Sequence, residues 1–313
     1  MRKIRNVVKI LYFLLLALPL SAEFAQKIFT LSPDPIDVVV PCGPKDRETL
    51  ELCVEGIRAN GLNVRRIIVV SKERMTEAAE WFSEEAYPFS KEDLALEIFR
   101  GDAEAAQEFL ALPNCRIGWI YQQFLKLYAP FVIPQISPNV LVLDADVIFL
   151  NPASFLTEEG HPLFNFGDEH IPSYFAHAAR LLPDLRRVFP NYSGIAHHML
   201  FQKPILEDLF QLISGHHHIE PWRAICRAID PKEAPVSCLS EYEIYFNFVF
   251  LRTPQAKIRR LKWCGLSSLA PIGYYKKQCY AYVACHTWLR DQRTVFSKMN
   301  ELNWMTGSAH RSR

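Results

Sequence analysis

Charge of one sign is missing from this 313-residue sequence: 35 Lys and Arg stand against 34 Asp and Glu, a net charge of +1. With no basic field, nucleic acid is not an expected partner. No two of the eight cysteines stand in a C-x-x-C pair, so neither a zinc ribbon nor a thioredoxin motif is expected. Internal repeats and low-complexity segments are absent, which leaves an ordinary globular body. A long hydrophobic run is absent too. The longest apolar stretch of the N-terminus, Ile10 to Leu20, falls short of the roughly 20 residues that a membrane-spanning helix needs.

What is present suits one sizeable α/β enzyme. Half of the residues are hydrophobic and 12% are aromatic, enough for a large buried core. Arg2, Lys3, Arg5 and Lys9 precede the Ile10–Leu20 run, and Ser21-Ala22 follows it. Residues 1–22 therefore read as a secretory signal peptide. Leu20 at the −3 position is a poor fit to a cleavage site, which keeps an uncleaved membrane anchor open. The expected location is the secretory pathway or a membrane surface. Without residues 1–22 the body carries −3, from 31 basic against 34 acidic residues. Export would permit disulfides among the cysteines, and buried thiols are an equal expectation, since Cys53 and Cys285 have apolar neighbours.

Residues 23–35, rich in Ser, Pro and Asp, read as a linker; 36–290 read as the globular domain and 291–313 as a polar tail. Ile36, Val38, Val39 and Val40 predict a first strand, stopped by Pro41-Cys42-Gly43-Pro44. A helix is expected from Lys45 to Asn60, with Leu50, Cys53, Val54 and Ile57 on its apolar face and Asn60-Gly61 as its C-cap. A second strand covers Ile67 to Val70. A β-α-β unit this short implies parallel strands in a doubly wound sheet. Ser90-Lys91-Glu92-Asp93 predicts a capping box and a helix through Phe99, and another helix covers Gly118 to Tyr128. Val140 to Leu143 reads as a central strand buried on both faces. The second half mixes short strands (Leu163–Phe166, Ile195–Phe201, Ile258–Trp263, Ala281–His286) with helices at Pro204–Ser214, Pro221–Ile229 and from Glu241.

The chemistry concentrates in Leu143-Asp144-Ala145-Asp146-Val147-Ile148-Phe149-Leu150-Asn151-Pro152. Two carboxylates one residue apart sit at the C-terminal end of a buried strand, where ligands of open α/β sheets bind. Acids this close repel unless a cation or proton lies between them. A hard divalent ion, its shell completed by a diphosphate, satisfies both, and it would neutralise a departing nucleoside diphosphate. A solvated pair of strand-end acids is the plain alternative.

This segment resembles the metal-binding strand of glycogenin-like enzymes and of bacterial galactosyl- and glucosyltransferases. Phe124-Leu125-Lys126-Leu127-Tyr128 is similar to the helix before that strand. Residues 118–126, His197-His198-Met199 and Ser240-Glu241-Tyr242-Glu243 resemble blocks of a little-characterised family of probable glycosyltransferases, over roughly residues 36–290. The resemblance implies a GT-A (Rossmann-like) fold, a mixed, mostly parallel central sheet flanked by helices. It also implies a metal-dependent glycosyltransferase using Mn2+ or Mg2+ and a nucleotide-sugar donor. It assigns Asp144 to the ribose or the metal and Asp146 to the metal and catalysis. His286 is placed like a third ligand, although Cys285-His286-Thr287-Trp288 departs from the usual His-Gly-Lys-Pro pattern. Pro41, Cys42, Gly43, Asp46, Gln122 and Lys126 fall on the nucleotide-sugar side, with Lys126 as a phosphate contact.

Ser193-Gly194-Ile195-Ala196-His197-His198 resembles an acceptor-side strand of those families. Adjacent strand residues face opposite ways, and of the two histidines His198 is the expected cleft residue, with Ser193. Glu241 is the candidate general base, or equally a first-turn acid favoured by the helix dipole. Glu243 is the expected capping partner of Ser240. His216-His217-His218 reads as an exposed loop, with metal binding as the sharper alternative. Glycogenin-like resemblance implies retention at the anomeric carbon, whereas a Glu241 base implies inversion. A non-catalytic sugar- or nucleotide-binding protein is the rival reading. A phosphohydrolase is disfavoured by the scarcity of strand-end Asp and His in the first half.

Overall fold

The computed structural model describes residues 24–286. The expected signal or anchor (1–22), the polar tail (291–313) and Trp288 lie outside them. The protein is a mixed α/β structure with a central, mostly parallel sheet flanked by helices. Strands β1 (Ile36–Pro41), β2 (Val64–Ser71), β3 (Glu80–Ser83) and β4 (Asn139–Leu143) run parallel, and β7 (His198–Gln202) closes the sheet antiparallel to β4, in the order β3-β2-β1-β4-β7. The 3-2-1-4 order is the Rossmann-like arrangement, with its ligand edge at the C-terminal ends of the parallel strands.

The two faces of the sheet follow from strict alternation. Val39, Val140 and Val142 join one core cluster with Phe124 and Leu127. Val38, Val40, Leu141 and Leu143 join another with Leu50, Cys53 and Ile57. The first face is covered by α4 (Ile117–Val132) and the second by α1 (Arg47–Asn60). Every residue of β1 and β4 is buried, each Val or Leu side chain contributing about 1.5–3 kcal/mol. Between β2 and α4 stand α2 (Lys91–Ile98) and α3 (Ala103–Leu110). Ser90 and Asp93 form the expected capping box at α2.

A smaller sheet continues beyond the strand tips. It pairs β5 (Val147–Phe149) antiparallel with β10 (Tyr282–Ala284), and β10 parallel with β9 (Trp263–Gly265). Beside it β6 (Leu163–Phe164) pairs with β8 (Lys257–Ile258). Helix α1 crosses β5 at Gly56. A Cβ there would stand 2.9 Å from the backbone N and O of Phe149, so only glycine permits this approach. The remaining helices are α5 (Pro172–Leu181), α6 (Lys203–His217), α7 (Pro221–Arg227), α8 (Glu241–Arg252) and α9 (Ile272–Lys277).

Two expectations change. The stretch read as a linker is docked: Phe24 packs edge-on against Phe248 at 5.5 Å, and Lys27 Nζ donates to Asp208 Oδ1 at 2.8 Å. His216 and His217 form the last turn of α6, and His218 caps it in a left-handed conformation, where the polar His tract had suggested a loop. Gly61 is the C-cap of α1 as expected, here with an extended backbone. Its lack of a side chain serves close packing, because a Cβ would stand 2.7 Å from Ile57 O. No disulfide joins cysteines among the described residues, and no helix there is long and apolar enough to cross a membrane.

Candidate active site

Asp144-Ala145-Asp146 is the turn that carries the chain from β4 into β5. Its backbone is fixed on every side. The Val147 N–H donates to Asp144 O at 3.1 Å, Cys285 N–H to Asp146 O at 2.8 Å, and Asp144 N–H to His197 O at 3.1 Å. Thr49 Oγ1, in the first turn of α1, donates to Ala145 O at 3.0 Å, and Cys53 Sγ lies 3.7 Å from Asp144 O. With these carbonyls satisfied, the two side chains are presented from a rigid frame.

The two carboxylates meet different partners. Lys126, from the middle of α4, places Nζ 2.5 Å from Asp144 Oδ1, 2.7 Å from Glu241 Oε1 and 3.0 Å from the Tyr242 hydroxyl. An ammonium has three N–H donors, and these acceptors use all of them. Lys126 is therefore not a free phosphate contact as expected. It is a buried counter-ion that ties α4, the β4 tip and α8 together. Burial pulls its proton affinity down, but Asp144 and Glu241 overcome that and hold it well above its ordinary value. Burial likewise raises Asp144, and Lys126 and His197 more than reverse it, leaving that carboxyl well below its usual range. For Glu241 burial wins over Lys126, and its carboxyl is raised.

Asp146 has a different partner. His286 Nδ1 stands 3.2 Å from its Oδ2, while its Oδ1 is buried with no hydrogen-bond partner among the described residues. An orphaned, buried carboxylate oxygen calls for a cation or a donor. No group of three or more His, Cys, Asp or Glu side chains forms a ready metal cage among the described residues. That is compatible with magnesium-type sites, which use one or two carboxylates and complete the shell with water and substrate phosphates. Asp146 and His286 fit such a partial set; Lys126 takes Oδ1 of Asp144, while its Oδ2 has His197 Nδ1 3.7 Å away.

The histidine pair is reversed from expectation. His197 adopts a left-handed backbone, φ 61°, and places Nδ1 3.7 Å from Asp144 Oδ2, with its ring 4.6 Å from that of His286. His198 points the opposite way, into a box of Phe149, Phe155 and Tyr282. There burial drives its pKa down to about 3. It is a neutral core residue rather than a cleft group. Ser193 is also buried, and its Oγ donates to Glu243 Oε1 at 2.6 Å. Glu243 consequently does not close a capping box. Its N–H donates to the capping Ser240 Oγ at 3.2 Å, while its carboxylate accepts from Ser193 and Asn247.

On the other side of the turn, Pro41, Cys42 and Gly43 lie at the tip of β1. Gln122 Nε2 donates to Pro41 O at 3.4 Å. The space where a Gly43 Cβ would stand is open, and Asp46 is buried at the end of the short 3-10 turn that leads into α1. Gln123, which sequence reasoning passed over, accepts the Glu241 N–H on its Oε1 at 3.1 Å; only the tertiary approach of α4 to α8 reveals it. A separate cavity of about 490 Å³ opens near the N-terminal end of β2, lined by Arg58, Arg65, Arg66, Arg74, Glu77 and Glu80. Its arginines are held by Asp37, Glu80, Glu77 and the Ala78 carbonyl, so it reads as an ion-pair network.

The model of a family of unknown function (DUF6492) matches residues 63–282. The chain belongs to that family. No curated protein matches it. Two solved structures are similar to this family member. One is mouse xyloside xylosyltransferase 1 in its apo form, at 12% identity and TM-score 0.37, covering 81% of this chain and 97% of that one. The other is the apo WbbM bifunctional glycosyltransferase, at 8% identity and TM-score 0.42, covering 82% of this chain and 46% of that one. At such scores neither likeness carries a statement about activity.

Proposed function

We propose that this protein is a glycosyltransferase that moves a sugar from a nucleotide-diphosphate donor to an acceptor hydroxyl. The observation that carries this reading is the β4 tip. There a buried, unpartnered Asp146 oxygen beside His286 stands next to a second acid, Asp144, that a buried lysine links to Glu241. Asp146 and His286 would hold a divalent cation, Mn2+ or Mg2+. When bound, that cation would neutralise the charge of a departing diphosphate.

The chain's own residues supply the rest. Pro41 to Gly43 and Gln122 border the nucleoside side. Glu241, with its proton affinity raised by burial, is suited to take the proton of an acceptor hydroxyl. Lys126 and Gln123 fix its position from α4. Holding donor and acceptor against this rigid edge provides the proximity that transfer needs.

One observation favours a second reading, a non-catalytic nucleotide-sugar-binding protein: Lys126 already occupies the Glu241 carboxylate. A thermal-shift screen of nucleotide sugars with and without manganese tests the first reading, since a ligand bound only by the folded state raises the melting temperature. A donor that stabilises only with metal, followed by release of nucleoside diphosphate on incubation, supports transfer. Stabilisation with no turnover on any acceptor supports the binding protein. A flat response to every donor removes both.

A further inference from the structure

One face of α4 runs along the proposed site. Trp119, Gln123 and Lys126 recur at helical spacing, and Arg116 stands at the N-cap in line with them. Lys126 holds the Glu241 carboxylate and Gln123 accepts the Glu241 N–H. About one turn further out, Trp119 stacks on Tyr174, with centroids 6.4 Å apart and planes at 24°. The Arg116 guanidinium lies over the same indole, 4.3 Å from its centroid. The Tyr174 phenol is pushed up to about 12, by burial first, with Glu241 adding and Arg116 opposing. That ring is therefore within electrostatic reach of both residues.

Arg116 is among the arginines that hold no carboxylate; Arg259, whose Nε and one terminal nitrogen are also buried without a hydrogen bond, is another, but it lies over Phe155 rather than on the α4 face. Arg65, Arg66, Arg223, Arg227 and Arg252 each hold a carboxylate. Among the described residues Arg116 has no acidic partner, and its Nε is buried without a hydrogen bond. A planar guanidinium already immobilised on an aromatic ring loses little further freedom on binding, and its fork of donors matches a phosphate or carboxylate. Burying Nε unpaired is costly unless something supplies the acceptor.

We propose that Arg116, held flat on Trp119, binds an anionic group carried by the acceptor and so selects acidic acceptors, phosphorylated or carboxylated, whose reacting hydroxyl reaches Glu241. This rests on the reading of Glu241 as the acceptor-side base. At 1.5 Å per residue, Arg116 lies about 15 Å along the helix axis from Lys126. That separates its anion from a donor diphosphate at Asp146 and sets the span between charge and reacting hydroxyl.

The test uses the full chain and matched probes: glucose, glucose 6-phosphate, glucuronate and inorganic phosphate, with affinity read by ligand-observed NMR. At least one anionic sugar should bind roughly fivefold or more tightly than glucose, the effect of one charge-assisted contact. Whichever sugar wins names the anion. Arg116→Gln should abolish the preference without lowering the unfolding midpoint, and Arg116→Lys should restore part of it. Equal binding of charged and neutral sugars, or a preference that survives in Arg116→Gln, overturns the proposal. So does inorganic phosphate binding as tightly as the phosphosugar, because the anion would then not belong to an acceptor. If Arg116→Gln instead weakens manganese-dependent nucleoside diphosphate binding by the same factor, the arginine belongs to the donor and the acceptor assignment falls. Failure of the wild-type chain to bind any nucleotide with manganese removes the transferase reading itself, whatever the sugars do.

Discussion

Removing Lys126 should unfold much of the site's logic at once. Its ammonium stands 2.7 Å from Glu241 and 2.5 Å from Asp144, and only 4% of the lysine and of the Glu241 side chain is exposed. Lys126→Met keeps most of the volume of the aliphatic stem and deletes the charge. Two acids then share a buried space with no counter-ion. Stripping one partner from a buried pair costs about 3–5 kcal/mol, far more than the near-zero median of surface pairs. Lys126→Met/Glu241→Gln removes the more deeply buried of the two stranded charges and should recover part of that loss, because a neutral amide is cheaper to bury than a carboxylate. Urea unfolding followed by circular dichroism measures both variants. A shift of the midpoint with an unchanged slope reports stability. A single variant that loses less than about 1 kcal/mol, or a double variant no more stable than the single, would refute the buried-hub account.

Other consequences are independent of that hub. His177 is buried neutral, its pKa lowered to about 4 by burial. The unfolded chain therefore binds the extra proton first as pH falls below about 6.5. Stability should drop between roughly pH 6.5 and 4 by up to about 3 kcal/mol, and His177→Gln should flatten that slope in unfolding titrations. Asp208 behaves oppositely: burial raises its carboxyl, but Arg252 and Lys27 outweigh this and lower it. Its stabilisation is full above the ordinary aspartate range and is lost as pH falls through the lowered value; Asp208→Asn should remove this acid limb. Gly56→Ala drives a methyl into the Phe149 backbone and should cost about 1–3 kcal/mol by overpacking, read from the melting temperature. Ser240→Ala removes the cap that meets the Glu243 N–H and should cost about 1 kcal/mol.

Local signals made much of this structure readable. The apolar runs of β1 and β4, the face of α1 and the Ser90–Asp93 capping box each depend on neighbours in sequence, and each is found where its residues place it. The strand β3 has no such signal. Its four residues are at least partly exposed and exist as a strand only through pairing with β2. Helices α3 and α5 have no counterpart among the expected elements although each carries an amphipathic face, and the Ser32-Pro33-Asp34-Pro35 end of the stretch before β1 hid the docking of Phe24 and Lys27.

The placement of Asp144, Asp146, Glu241 and His286 was legible, because strand tips and helix starts mark such residues, and the structure sets them along one edge of the sheet. Its wiring was not. Lys126 meets its partners across 18 and 115 positions of sequence, and only the crossing of α4 over the β4 tip creates that contact. The rule that His197 and His198 face opposite ways holds. Which one faces Asp144 is decided by the left-handed turn at His197 and by the register that pairs Leu143 with His198, neither of which the pattern of apolar residues encodes.

The most direct test of the central claim is turnover of a stabilising nucleotide-sugar donor by Asp146→Asn, with manganese titrated. The account predicts a native circular dichroism spectrum and a loss of manganese-dependent nucleoside diphosphate release of at least about a hundredfold. Undiminished manganese-dependent release from that folded variant would contradict it.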